Sequence, residues 1–70
     1  MKMSYESLRF LERYLPEALR TENIGKVLKL LGDMIVFNGF EPPDYYDYND
    51  FGREAQSVYD DIYLSNKDEL

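Results

Sequence analysis

The residue types in this 70-residue chain restrict its chemistry. The sequence contains neither cysteine nor histidine. It therefore cannot build a thiolate or imidazole zinc site, a cysteine nucleophile or a serine triad with a histidine base. Carboxylates, tyrosines, lysines, arginines and serines remain, on a scaffold with little room for a cleft. We expect a protein that is not an enzyme, with no cofactor and no metal.

The segment of residues 41–50 is the one we single out as a candidate binding site. It holds four acids, three tyrosines and no base within ten residues. Tyrosine offers broad contact area at a low cost in side-chain entropy, and carboxylates pair with arginines that also stack on aromatic rings. The alternative is a stiff, solvated connection whose tyrosines cover the core. The predicted partner-binding residues are Glu41, Asp44, Tyr45, Tyr46, Asp47, Tyr48 and Asp50, with Asp61 extending the acidic surface from the following helix.

Part of the same segment fits a calcium-binding pattern. Asp47, Asn49 and Gly52 match the first, third and sixth positions of an EF-hand loop. Val58 stands at the twelfth position, where the loop needs a bidentate acid. An EF-hand is therefore excluded, and an adventitious cation among the neighbouring aspartates is the remaining metal hypothesis.

Charge is distributed unevenly along the chain, whose net charge is −6. Residues 1–32 carry six bases and four acids, a net +2, whereas residues 33–66 carry eight acids and one base, a net −7. Arg9 and Arg13 begin a basic stripe, but Glu6 and Glu12 interrupt it, so we expect local salt bridges there. This asymmetry favours a basic protein surface as partner, such as a nuclease or a nucleic-acid-binding protein, and disfavours direct nucleic-acid binding.

Asp44-Tyr45-Tyr46 resembles, over these three residues, the acid-flanked tyrosine pair of the small acidic immunity proteins that neutralise colicin-type nucleases. Those proteins are helical domains. The likeness is one of physical strategy, and it implies binding to a basic enzyme as one form that the function could take.

Hydrophobic periodicity predicts two helices in the first half of the chain. Ser4 is the expected N-cap of the first, Pro16 ends it, and one further turn follows through Arg20. Thr21 is the expected N-cap of the second helix, which we expect to be central. The predicted core positions are Leu8, Leu11 and Leu15 with Tyr5 and Phe10 at the margins, then Ile24, Val27, Leu28, Leu31 and Ile35, widened by Leu30, Met34 and Phe37.

A third helix is predicted from about Phe51 to Ser65, with Asn49 or Asp50 as its N-cap and Asn66 as its terminator. Phe51, Ala55, Val58 and Ile62 form its core stripe, with Tyr59 and Tyr63 alongside. The fold class is therefore all-α, a small three-helix bundle of residues 1–66 with a frayed tail, residues 67–70. An extra helical turn is also expected within residues 44–48.

Location is the last inference from sequence. Met1 is followed by charged and polar residues rather than an apolar leader, and no apolar run reaches the ~20 residues that span a bilayer. We therefore expect a cytoplasmic protein without membrane contact. The terminal Lys67-Asp68-Glu69-Leu70 spells an endoplasmic-reticulum retention signal, which we interpret as a chance match.

Two functional hypotheses follow. The first is a non-enzymatic interaction module that presents an acidic, tyrosine-rich surface to a basic partner, as an immunity protein, inhibitor or phosphate mimic would. The second is a structural or regulatory subunit that forms a homodimer through apolar helix faces, with its acidity serving only solubility.

Overall fold

The computed structural model describes residues 1–38 and 49–69, and within them the chain forms three α-helices. These are α1 (Tyr5–Tyr14), α2 (Ile24–Asn38) and α3 (Asp50–Asn66). Two 3-10 turns, Pro16–Arg20 and Lys67–Glu69, complete the secondary structure, and these described ranges contain no β-strand. The predicted three-helix bundle and the extra turn after Pro16 are confirmed. The turn expected within residues 44–48 lies outside the described residues.

Side-chain caps fix where the helices begin. The Ser4 hydroxyl accepts a hydrogen bond from the Ser7 N–H at 3.2 Å, which confirms the predicted cap of α1. The prediction of Thr21 as the cap of α2 is wrong. The cap is Asn23, whose Oδ1 accepts from the Lys26 N–H at 3.0 Å. Thr21 instead accepts from the Asn23 N–H at 3.1 Å and so positions the capping residue. The two residues between Thr21 and Ile24 remain outside the helix.

The cap of α3 is one of the two residues predicted for it. Asn49 Oδ1 accepts a hydrogen bond from the Gly52 N–H at 2.7 Å, and Asp50 is the first helical residue. A neutral amide therefore satisfies the backbone donor, and the Asp50 carboxylate stays exposed to solvent at the positive end of the helix dipole.

The core contains all five positions predicted on the main face of α2 and three of the four predicted on α3. The buried apolar residues are Phe10, Leu11, Leu15, Ala18, Ile24, Val27, Leu28, Leu31, Ile35, Ala55, Val58 and Ile62. Leu8 and Phe51 are half-buried, as are Leu30 and Met34. The helix faces were therefore predicted more accurately at their centres than at their edges.

The predicted burial was wrong for two aromatic residues. Phe10, expected at the margin, is only 3% exposed because it faces α3, where the Phe51 ring lies 5.6 Å away. Phe37, expected to widen the core face of α2, is 80% exposed. It follows the buried Ile35 by two residues, which is about 200° around a helix. It therefore points away from the core.

Contacts between the helices define the topology. Ser7 of α1 contacts Asp61 of α3, and Phe10 contacts Phe51, so α1 and α3 run in opposite directions. In the same way, Asn38 of α2 contacts Asn49 just before α3, while Gly32 lies beside Tyr59, so α2 and α3 also run in opposite directions. Thus α1 and α2 run in the same direction, and residues 15–23 return along the bundle. It is α3, rather than the predicted α2, that packs extensively against both other helices.

The bundle consequently has two ends of different make-up. We call the hairpin end the one formed by Tyr14, Asn38 and Asn49, where α1 and α2 finish and α3 begins. We call the clamped end the opposite one, where residues 1–4 lie against the last turns of α3. Stretch 39–48 is covalently attached at the hairpin end.

Candidate functional site

The hairpin end contains the one predicted site residue in this region that the structure describes. Asp50 is exposed, and its carboxylate lies 3.1 Å from Arg53 Nη1 within the first turn of α3. The other six, Glu41, Asp44, Tyr45, Tyr46, Asp47 and Tyr48, lie outside the described residues. Their assignment to a binding surface stays a prediction.

A direct hydrogen bond joins the two attachment points of that stretch. Asn49 uses its side-chain amide twice: Oδ1 caps α3, and Nδ2 donates to the Asn38 carbonyl at 2.9 Å. This second bond satisfies one of the free carbonyls at the end of α2. The acids and tyrosines of residues 41–48 are therefore connected to the bundle at two residues that contact each other.

Two exposed apolar side chains precede this junction. Phe37 is 80% exposed and Val36 is 66% exposed in the last turn of α2. Sequence reasoning assigned Phe37 to the core and missed it as a surface feature. The information was present in its spacing, since a residue two positions after a buried one lies on the opposite side of a helix.

A cluster of three rings also lies at the hairpin end. The Phe10 ring centroid lies 4.9 Å from that of Tyr14 and 5.6 Å from that of Phe51, and Tyr14 meets Phe51 edge-on at 5.1 Å. The Arg13 guanidinium lies 5.2 Å from the Tyr14 centroid. Such contacts fix the junction between α1 and the start of α3.

Asp61, the eighth predicted site residue, lies far from the hairpin end. It follows Asp50 by eleven residues, about 16 Å along α3. Asp61 Oδ2 accepts hydrogen bonds from the Ser4 N–H at 2.8 Å and the Ser7 hydroxyl at 2.7 Å. The hydrogen bond from the Ser4 backbone lowers the pKa of the Asp61 carboxyl most, and the bond from the Ser7 hydroxyl lowers it further. The carboxylate is thus engaged at the N-terminus of α1, where a negative charge is favoured.

Glu54 and Asp61 both line the groove between α1 and α3, together with Glu6 and Ser57. Asp50, however, begins α3 at the hairpin end, so the acids of this helix are spread along its length. A role for Asp61 in partner binding stays a prediction, and its hydrogen bonds give it a structural role.

Asn66 makes the second tether of the clamped end, and sequence reasoning read it only as a helix terminator. It is the last residue of α3 and is 2% exposed. Its Oδ1 accepts from the Lys2 N–H at 2.7 Å, while its Nδ2 donates to the Lys2 carbonyl at 2.6 Å and the Ile62 carbonyl at 2.8 Å. No periodicity could reveal a contact between residues 64 positions apart.

The salt bridges expected at the start of the chain are not the ones observed. Ion pairs between described residues are Lys29–Asp33 at 3.2 Å and Arg53–Asp50 at 3.1 Å, and neither Arg9 nor Arg13 belongs to one. Arg9 lies 6.0 Å from the Tyr5 ring centroid, and Arg13 stacks on Tyr14. Arginine–ring contacts therefore replace the predicted arginine–glutamate pairs on α1.

Among residues 1–38 and 49–69, no three acidic side chains converge in a way that could hold a metal ion. None of the helices described combines the length and the apolarity needed to cross a membrane. Comparison with protein families, curated proteins and solved structures found no match to the chain.

Proposed function

We propose that the protein is a non-enzymatic, cytoplasmic interaction module whose hairpin end presents an acidic, tyrosine-rich surface to a basic partner protein. The observation that supports this most directly is the 2.9 Å contact between Asn49 and Asn38. It brings together the two ends of a stretch that carries three tyrosines and three acids, beside the exposed Phe37 and Asp50. A partner could thus contact charge, aromatic rings and apolar surface at one end of the bundle.

The charge balance around this end favours a basic partner. Residues 41–50 carry four acids and no base. The described bases at this end are Arg53, which is paired with Asp50, and Arg13, which stacks on Tyr14. The excess negative charge would steer a basic protein toward this surface and accelerate association at low salt. A nuclease or another nucleic-acid-binding protein has the required complementary charge.

The proposal is tested by titration calorimetry with a panel of purified basic nuclease domains and basic nucleic-acid-binding proteins. For any that binds, we expect a Tyr45→Ala, Tyr46→Ala double variant and an Asp44→Asn, Asp47→Asn double variant each to weaken binding at least tenfold. The charge-matched control is Asp68→Asn with Glu69→Gln, two exposed acids in the 3-10 turn at the clamped end. If the control lost as much affinity as the Asp44→Asn, Asp47→Asn variant, net charge alone would explain the loss, and the proposed site would be refuted.

A second function, self-association, is supported by a different observation. Leu64 is 62% exposed on α3, and Tyr63 beside it is also exposed. Two such faces could pair in a homodimer of a structural or regulatory subunit. Sedimentation over a range of protein and salt concentrations separates the two functions: a tight dimer that is insensitive to salt and lost in Leu64→Ser would favour this one.

A further inference from the structure

We propose that the exposed face of α2 is a homodimer interface, on which α2 of a second copy of this chain packs in the antiparallel direction. This α2 face consists of the exposed residues between Ile24 and Asn38, namely Gly25, Lys26, Lys29, Asp33, Val36 and Phe37. The inference rests on the second function proposed above, self-association, and assigns its interface to α2 instead of the Leu64 side of α3.

The C-terminal half of the α2 face is apolar. Val36 is 66% exposed and Phe37 is 80% exposed, just before α2 ends at Asn38. A single exposed apolar residue is common on protein surfaces and calls for no explanation. An adjacent aromatic and β-branched pair offers more contact area, of the kind that protein interfaces bury. The described residues leave this area uncovered, so it is free to contact a second copy.

Charge favours α2 over α3 as the surface on which two copies meet. Residues 22–38 carry two bases and two acids, a net charge of zero, although the whole chain carries −6. Helix α3 carries four acids and one base, a net −3, and Leu64 follows Asp60 and Asp61 by about one turn. Two copies that pair through α3 therefore bring like charges together, whereas two copies that pair through α2 do not.

The charges of the α2 face complement one another when two copies pair about a two-fold axis beside Leu31. Lys29 and Asp33 lie at equal distances on either side of this residue. In an antiparallel pair, Lys29 of each copy therefore lies opposite Asp33 of the other, and two ion pairs form across the interface. Within one chain the same two residues form an exposed ion pair at 3.2 Å, which contributes little and is exchanged at small cost.

The same axis places the apolar half of one α2 face against the N-terminal half of the other. Lys26 and Phe37 are eleven residues apart, about three helical turns, so they lie on the same side of the face. The Phe37 ring of one copy therefore meets the stem and ammonium of Lys26 from the other, which combines apolar burial with a cation–π attraction. Gly25 and Val36 have the same spacing, and the glycine, which has no side chain, leaves room for the valine.

Charge reversal tests this geometry. A single pair of helices is smaller than the interface of a permanent dimer, so we expect a dissociation constant between about 1 µM and 1 mM, measured by sedimentation equilibrium. Lys29→Glu places only acids at the two ion-pairing positions, and Asp33→Lys places only bases there. Each variant alone should dimerise at least tenfold more weakly than the wild type. An equimolar mixture of the two should dimerise again, because acids then face bases across the axis.

Two control variants and one apolar variant complete the test. Arg53→Glu adds the same negative charge as Lys29→Glu at an exposed, ion-paired position of α3, and it should weaken dimerisation far less. Leu64→Ser should leave dimerisation unchanged. Phe37→Ser should weaken it at least tenfold, which corresponds to about 1.4 kcal/mol. Serine and phenylalanine have similar helix propensities, so circular dichroism should show that α2 is intact in this variant.

The outcomes that overturn the inference are distinct from failure of self-association itself. A dimer that Leu64→Ser dissociates, but Lys29→Glu and Phe37→Ser do not, would keep self-association and place its interface on α3. A mixture of the two charge variants that stays monomeric would refute the pairing across the axis, as would equal losses in Lys29→Glu and Arg53→Glu. A lower melting temperature for dilute, monomeric Phe37→Ser would show that Phe37 packs within its own chain. A wild type that is monomeric at 1 mM would refute the self-association function as well.

Discussion

Replacement of Asn66 by alanine should destabilise the bundle although it lies outside every predicted core position. The side chain satisfies both backbone polar groups of Lys2 and also donates to the Ile62 carbonyl. Alanine removes all three hydrogen bonds at a site that is 2% exposed. Loss of hydrogen bonds at a buried position costs about 2 kcal/mol. In a domain of this size that lowers the melting temperature by about 8–16 °C.

Asn66→Asp is the more informative change because it keeps the shape and alters the donor. At neutral pH the carboxylate can still accept from the Lys2 N–H, but it faces the carbonyls of Lys2 and Ile62, to which Nδ2 donated at 2.6 and 2.8 Å. A buried charge facing acceptors should cost about 3 kcal/mol or more. The pKa of the new carboxyl should rise above its unfolded value of about 3.9, because only the protonated form can donate to a carbonyl.

The sign of the pH dependence follows from that shift. A carboxyl whose folded pKa is raised destabilises the fold progressively as pH rises above about 4, and the penalty is complete once pH exceeds the folded pKa. The difference in melting temperature between Asn66→Asp and wild type, measured by circular dichroism from pH 3 to 7, should therefore grow with pH. Asn38→Asp is the matched control, since Asn38 is the last residue of α2 but is exposed. If both variants lost stability equally with pH, repulsion from the helix dipole would account for the loss, and the Asn66 hydrogen bonds at the clamped end would contribute nothing.

Two further predictions concern α3 and its contacts. Asp61 accepts from Ser4 and Ser7 and its pKa is lowered, so its contribution is present above about pH 4 and is lost as pH falls through the folded pKa. Asp61→Asn should cost about 1 kcal/mol at pH 7 and progressively less as the pH falls below about 4, whereas the exposed neighbour variant Asp60→Asn should change thermal unfolding little at any of these pH values. Gly32→Ala should stabilise the fold by about 0.5–1 kcal/mol, because a Cβ there would meet the Tyr59 ring at an ordinary 4.0 Å. A lower melting temperature for Gly32→Ala would mean that α2 and α3 need closer contact than this.

The helices were predictable because their determinants are local. Ser4, Pro16 and Asn49 each act within one turn of their own position, through a cap or a missing N–H. The main apolar face of α2 follows from spacing alone, and all five of its residues are buried. At the start of α2 the predicted cap was Thr21 and the actual cap is Asn23, two residues later, although both side chains accept from backbone amides.

The direction of the helices and the clamped end depend on distant contacts, which local patterns do not encode. Residues 15–23 return along the bundle, so that α1 runs in the same direction as α2. Asn66 and Lys2 are separated by almost the whole chain. Asn66 was predicted only as a helix terminator and Asp61 as part of an acidic surface, because burial of a polar group becomes favourable only when a specific partner satisfies it.

The carboxylates at the two ends of the bundle, Asp61 and Asp50, have different partners, and this difference bears on the proposed function. At the clamped end, Asp61 and Asn66 direct their hydrogen bonds to the chain's own backbone, so those groups are already satisfied. At the hairpin end, Asp50 has only an exposed ion pair, which contributes little and can be exchanged at small cost. A basic partner competes with one arginine there, whereas at Asp61 it would have to displace bonds that hold α1 to α3. Under the proposed function, we therefore expect a basic partner to bind at the hairpin end rather than at the clamped end.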